Sequence, residues 1–200
     1  MLRIGIMGGT FDPVHYGHLV AAEQAWYRFG LDKVVFVPTG RPPHKPESQV
    51  SDAHHRLRMT VLATQSNEHF EVSSVEVDRP GPTYAIDTVR QFRDAYPPGT
   101  ALYFITGADA ILTMMEWKDS DTLVQLCEFV AATRPGYQLA DERIREIFGP
   151  AAHRIHFFEV PALAISSTDI RDRVRTGRPI RYLLPDAVMD YIAGAGLYRD

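Results

Sequence analysis

The sequence predicts a doubly wound α/β fold with a mostly parallel sheet, and three observations carry that prediction. Short apolar runs alternate with helical patterns along the whole chain. Several of those runs are apolar without alternation, as expected for strands covered on both faces. The first run stops at Gly8 and Gly9 and passes at once into a helical pattern, giving a strand, a glycine turn and a helix in succession. The length agrees, because 200 residues suffice for one α/β domain with a full core and are short for two. A single domain over 1–200 is therefore expected, with the C-terminal helices at about 167–193 packed on it.

The elements follow in order. Strands are expected at 4–7, 34–37, within 70–77, and at 102–105, 129–132 and 155–158. The second ends at Pro38 and the fourth is closed by Gly107. Helices are expected at about 17–29, 52–66, 84–95, 108–115, 119–126, 140–148, 167–176 and 186–193. Between the second strand and the second helix lies 38–46, which holds Pro38, Pro42, Pro43 and Pro46. Prolines at that density forbid a helix or a central strand. The segment follows a strand, so it belongs at the carboxyl edge of the sheet, where open α/β sheets bind ligands. An ordinary surface connection and a lid over 38–50 both fit its composition.

Composition narrows the function classes. With 45% hydrophobic and 23% charged residues the chain is globular, which excludes disorder as its dominant state. Lys and Arg total 21 against 25 Asp and Glu, a formal net charge of −4. That balance argues against a global polycation built for nucleic acid, while a local basic patch remains allowed. The single cysteine, Cys127, can form neither an internal disulfide nor a Cys-based zinc site alone. No apolar run approaches a membrane span, and the N-terminal strand meets glycines too soon for a signal-peptide core. A cytoplasmic protein without nucleic-acid or membrane partners is expected. A homo-oligomer stays allowed, since nothing in the sequence fixes the oligomeric state.

The most informative segment is Gly8-Gly9-Thr10-Phe11-Asp12-Pro13-Val14-His15-Tyr16-Gly17-His18. The glycines let backbone N–H groups approach a ligand, and the helix that follows adds the positive end of its dipole. This is a phosphate cradle on physical grounds. It is neither a dinucleotide fingerprint nor a P-loop, since G-x-G-x-x-G and G-x-x-x-x-G-K-[ST] are both absent here. In place of the P-loop lysine stand His15 and His18, three residues apart across a helix start and able to face one spot. Three readings stand: capping or surface histidines, a metal site short of its further ligands, or two imidazoles donating to phosphate oxygens. Asp12 reads as a residue that holds the turn, and Arg56 and Arg58 as a solvated face. Near the other end, Ser166 and Asp169 have capping-box spacing, which starts a helix at Ser167. Ser166, Ser167, Thr168 and Arg171 would then form either a second polyphosphate site or a well-capped surface helix. Arg173, Arg175, Arg178 and Arg181 read as a solvated face with some attraction for triphosphate.

Gly9 to His18 resembles the (T/S)-F-D-P-x-H-x-G-H form of the nucleotidyltransferase H-x-G-H motif, and Ile165 to Arg171 resembles the I-S-S-T-x-I-R motif of the same superfamily. Four further segments resemble the bacterial nicotinate mononucleotide adenylyltransferase branch: Pro42-Pro43-His44-Lys45, the stretch from Gly81 to Thr88, Gly107-Ala108-Asp109 with Trp117 beyond it, and Arg134-Pro135-Gly136-Tyr137. The resemblance covers essentially the whole chain. It implies a Rossmann-like nucleotidyltransferase fold and a reaction of ATP with nicotinate mononucleotide in NAD biosynthesis, giving nicotinate adenine dinucleotide and pyrophosphate.

It also implies the site. His15, His18 and Lys45 would be catalytic. ATP would be held by Gly8, Gly9, Thr10, Phe11, His15, His18, Gly107, Asp109, Ser166, Ser167, Thr168 and Arg171. The mononucleotide would be held by Lys45, Thr83, Tyr84, Asp109, Trp117 and Arg134. No protein metal site is expected, because Mg²⁺ would ride on the ATP phosphates. Residue chemistry is compatible with these roles. Backbone N–H groups near Thr83 and Tyr84 suit a carboxylate, and Trp117 offers a face to a cationic pyridinium ring. Trp117 as a core anchor and Asp109 as a helix cap are the structural alternatives. An adenylyltransferase for another phosphomonoester, such as pantetheine phosphate, is the nearest rival, and a non-catalytic nucleotide-binding module is the rival of a different class.

Overall fold

The structure is a computed structural model and describes residues 1–43, 46–136 and 141–199. His44, Lys45 and Tyr137, which the sequence singled out, lie outside the described residues. Six strands, β1 (Arg3–Gly9), β2 (Lys33–Pro38), β3 (Phe70–Val72), β4 (Ala101–Gly107), β5 (Glu128–Thr133) and β6 (Ile155–Glu159), form one sheet in the order β3-β2-β1-β4-β5-β6. The pairs β1–β4, β4–β5 and β5–β6 are parallel, with Met7 opposite Ile105 and Gly107 opposite Ala132. Strand order reverses between β1 and β4, which is where doubly wound sheets open a ligand crevice. The helices are α1 (Tyr16–Phe29), α2 (Ala53–Thr64), α3 (Ala85–Ala95), α4 (Ala108–Leu112), α5 (Ser120–Leu126), α6 (Asp141–Phe148), α7 (Ser167–Arg175) and α8 (Asp186–Gly194).

One expectation is narrowed and one is corrected. The third strand lies within 70–77 as expected and is three residues long, because the chain spends its next hydrogen bonds locally. Ser73 N–H still reaches Phe36 O, but Asp78 N–H turns back to Ser74 O at 2.9 Å and Ser74 Oγ donates to Asp78 at 2.6 Å. The helix expected over 108–115 ends at Leu112, and Met114–Glu116 continues as a 3₁₀ turn. Thr113, between them, sits outside helical geometry at φ −106° and ψ 3°.

The chain divides into two compact units. The first comprises 1–8, 21–35 and 84–162. Its core is the inner part of β1, β4 and β5, where Ile4, Ile6, Ile105, Phe129 and Val130 are wholly buried. α3 buries Ile86, Val89 and Phe92, and α5 buries Leu123 and Val124. Cys127 is buried here, which pushes its thiol up to about 12 and leaves it inert as a nucleophile. The second unit comprises 9–20, 36–83 and 163–200. In it α2 packs on α8 and β3, burying Met59 and Ala63, and His55 Nδ1 meets the Tyr191 hydroxyl at 2.8 Å.

Candidate active site

In the second unit the chain leaves the sheet at Gly9, whose carbonyl accepts the Thr39 N–H at 2.8 Å. Phe11 follows with φ +50° and a buried ring, which lies edge-on to His18 at 5.1 Å and against Phe36 at 5.7 Å. Its buried side chain packs against His18. His15 and His18 stack, with ring centres 3.8 Å apart and planes 29° from parallel. The His15 N–H donates to His18 Nδ1 at 3.2 Å, so the proton of the His18 ring sits on Nε2 and is available to a ligand. His15 Nδ1 is buried without a partner. Burial lowers His15 to about 4; burial and then the neighbouring His15 lower His18 to about 3. Both rings are neutral at pH 7 and are hydrogen-bonding groups, not fixed cations. Gly17 explains the glycine between the histidines, since a Cβ there would stand 3.0 Å from two atoms of the His15 ring.

The turn is held from three sides. Asp12 is buried, with Oδ2 accepting the Ser51 N–H at 3.1 Å and Oδ1 accepting the Tyr198 hydroxyl at 2.6 Å. α7 docks on the same turn: Ser167 Oγ donates to Pro13 O at 2.8 Å and Arg171 Nη1 to Asp12 O at 2.7 Å. The two sequence motifs, far apart in the chain, thus meet at residues 12 and 13. Ser166 is the N-cap of α7, accepting the Asp169 N–H at 3.1 Å, and Arg171 Nη2 lies 3.4 Å from Thr168 Oγ1. Arg56 is the third support, and here the sequence reading is corrected. It is 1% exposed, not part of a solvated face, and its guanidinium donates to four carbonyls: Ser51 O, Thr10 O, Thr39 O and Gly40 O, at 2.8, 2.8, 2.6 and 2.8 Å. A planar fork of donors inside a ring of carbonyls is a role that arginine fits and lysine does not. Arg58, in contrast, is exposed. Thr83 is buried, with its N–H on Arg41 O at 3.0 Å.

The later arginines are solvent-accessible, as a solvated face requires, and carry ion pairs that the sequence reading did not name. Arg173 pairs with Asp169 at 2.6 Å, Arg175 and Arg178 both pair with Asp172, and Arg181 lies 3.8 Å from Asp186. Four arginines thus share three carboxylates along their own segment.

The first unit carries the remaining candidates. Gly8, the penultimate residue of β1, lies beside Phe104, whose ring would stand 3.1 Å from a Cβ at that position. Gly107 and Arg134 lie at the carboxyl ends of the paired strands β4 and β5, and Asp109 is exposed in the first turn of α4. Tyr84 is the N-cap of α3 without a side-chain cap bond. Lys118, which sequence reasoning passed over, places its ammonium 4.5 Å from the Tyr84 ring centre and 3.4 Å from Asp87. Trp117 is half-buried and meets Phe104 edge-on at 6.0 Å, so it is partly a core anchor and keeps part of its surface open. Arg56 and Tyr198 were also missed. A buried arginine and a tyrosine outside any periodic pattern carry no local signal. Lys118 had one, its position directly after Trp117.

Comparison with known proteins agrees with this geometry. The cytidylyltransferase-like family model matches residues 6–173. A protein of Moorella thermoacetica named "probable nicotinate-nucleotide adenylyltransferase" is 60% identical over 199 residues, covering 98% of this chain and 92% of its own. One of the same name from a Thermoanaerobacter species is 55% identical, covering 99% of this chain and 95% of its own. Among solved structures, the Plasmodium falciparum nicotinic acid mononucleotide adenylyltransferase complexed with NaAD shares the fold, with a TM-score of 0.81 at 20% identity over 99% of this chain and 98% of that one. With H-x-G-H on the turn, I-S-S-T-x-I-R docked against it and relatives matching end to end, the chain belongs to the cytidylyltransferase-like family and, within it, to the nicotinate-nucleotide adenylyltransferases.

Proposed function

We propose that this protein transfers the adenylyl group of ATP to nicotinate mononucleotide, giving nicotinate adenine dinucleotide and pyrophosphate as a step of NAD biosynthesis in the cytoplasm. The observation that carries the phosphoryl chemistry is the stacked, neutral His15–His18 pair on a turn against which the start of α7 is docked. The acceptor is taken from the relatives, whose name specifies a nicotinate nucleotide.

The acceptor's phosphate oxygen is the nucleophile and is already anionic at neutral pH, so no general base is needed. It attacks the α-phosphorus of ATP in line and pyrophosphate leaves. Catalysis is then positioning and stabilisation of developing charge. His18 Nε2–H donates to an oxygen of the α-phosphate, and His15 lies on the same charge. Gly8, Gly9, Thr10 and the backbone of Phe11 hold phosphate oxygens, with Gly107 and Asp109 on the nucleoside. Ser166, Ser167, Thr168 and Arg171 receive the β and γ phosphates; Arg171 does so with the donors it does not spend on Asp12 O. Lys45 steers the acceptor phosphate, Arg134 supports it, and Thr83, Tyr84 and Trp117 receive the nicotinate group. Mg²⁺ accompanying ATP would be held mainly by phosphate oxygens and water and would supply neutralisation of phosphate charge. Asp12, the carboxylate of the turn, has both oxygens engaged, by Ser51 and Tyr198.

A pyrophosphate-release assay with ATP and a panel of acceptors tests the reaction. Nicotinate mononucleotide should turn over, its amide should do so more slowly, and pantetheine phosphate should not. Turnover of pantetheine phosphate alone, or ATP binding with no dinucleotide formed, would overturn the reading. In the same assay a folded His18→Ala variant should lose roughly two to three orders of magnitude in turnover, the cost of removing one donor to a developing oxyanion. Near-normal turnover would remove His18 from that role.

A further inference from the structure

The phosphate turn is held by a segment that has no part in the reaction as proposed. Beyond α8 the chain reaches Tyr198, whose backbone is left-handed at φ +62°. Side-chain-bearing residues keep that conformation only where their surroundings impose it. Here the surroundings are specific: the phenol donates to Asp12 Oδ1 at 2.6 Å and lies 3.9 Å from Met59 Sδ. Burial, and then the charge of Asp12, push the phenol well above its ordinary value, so it remains a donor at every working pH. Ser51 N–H takes the other carboxylate oxygen.

Asp12 is a problem in its own right. It is 4% exposed and stands inside a turn whose use is to bind polyanions. A carboxylate there repels a triphosphate and competes with phosphate oxygens for the same N–H donors, unless its oxygens are occupied elsewhere. Tyr198 and Ser51 occupy them.

We propose that Tyr198 is a positioning residue for the triphosphate: by engaging Asp12 Oδ1 it keeps the carboxylate out of the phosphate cradle, and so sets the affinity for ATP. The proposal rests on the reading of the turn as a triphosphate site. It separates the role of Tyr198 from that of a mere clamp, since a clamp changes stability and leaves ligand affinity alone.

Tyr198→Phe keeps the ring and removes only the hydroxyl. ATP affinity of the full chain is measured by calorimetry well below the melting temperature, beside kcat and KM for both substrates. The Kd and KM for ATP should rise about tenfold, the worth of one hydrogen bond to a charged group, while KM for nicotinate mononucleotide stays unchanged. The loss should shrink when Tyr198→Phe is made in an Asp12→Asn background, where the competing charge is gone. A lowered melting temperature with unchanged ATP affinity overturns the proposal, as does an equal loss in both backgrounds. If Tyr198→Phe does not fold, Asp12→Asn alone decides: ATP affinity at or above wild type supports the proposal, and a tenfold loss overturns it. Wild-type protein that binds ATP without forming dinucleotide would sink the proposed reaction and leave the calorimetric comparison at Tyr198 intact.

Discussion

Arg56 and the two histidines mark the limits of reading single residues. His15 and His18 announce themselves because the whole signal is local: a strand, two glycines, a helix start and a three-residue spacing. Arg56 sits on a helix whose sequence reads as charged surface, yet it is fully buried under four carbonyls from residues 10, 39, 40 and 51. Nothing within a few residues of it foretells those partners. Arg56→Lys retains the charge but cannot reach the same ring of acceptors. Each buried carbonyl left without a donor costs about 1–3 kcal/mol, so the variant should lose roughly 3 kcal/mol or more by urea denaturation, with ATP affinity falling in whatever remains folded. A midpoint equal to wild type would show that the bonds contribute little.

Among the elements, α7 was legible in position, while its ion pairs were not. Its start follows from the Ser166–Asp169 spacing, which the structure realises as a side-chain cap. Ser166→Ala should cost about 1 kcal/mol of stability, the usual worth of an N-cap, and should weaken ATP binding by loosening the helix start that meets Pro13 and Asp12. Thermal unfolding with and without ATP separates the two effects, and an unchanged ATP-induced shift in Tm would confine Ser166 to capping. The arginines that follow read as a solvated face. Arg173 pairs with Asp169, and Arg175 and Arg178 share Asp172, partners three to six residues apart; the pairing is visible in the sequence but only weakly predictable, because exposed pairs form or not according to rotamers. β3 and α4 show the same local competition. A Ser–Asp turn ends the one early, and non-helical geometry at Thr113 ends the other.

For the molecule as a whole, the histidine pair sets a pH dependence of stability. In the unfolded chain both titrate near 6.5, and in the folded protein near 4 and near 3. The unfolded state therefore binds more protons between those values, and stability must rise with pH across that window. Stability from this source is complete above about pH 6.5 and is lost progressively as pH falls toward 4 and below. Urea midpoints for wild type and His18→Asn between pH 7 and pH 4 should show a shallower acid decline in the variant. Parallel declines would mean that the buried rings do not titrate as their burial demands.

By itself the sequence determined the alternation of strands and helices, the glycine turn with its two histidines, the start of α7 and the family, because each is written in contacts between residues close along the chain or in a short motif. The tertiary structure decided the rest: the strand order that reverses beside β1, the meeting of the two motifs at Asp12 and Pro13, the burial of Arg56, the engagement of Asp12 by Ser51 and Tyr198, and the low basicity of both histidines. These depend on desolvation and on hydrogen bonds between residues as far apart as 12 and 198. Neither quantity exists until the chain has folded.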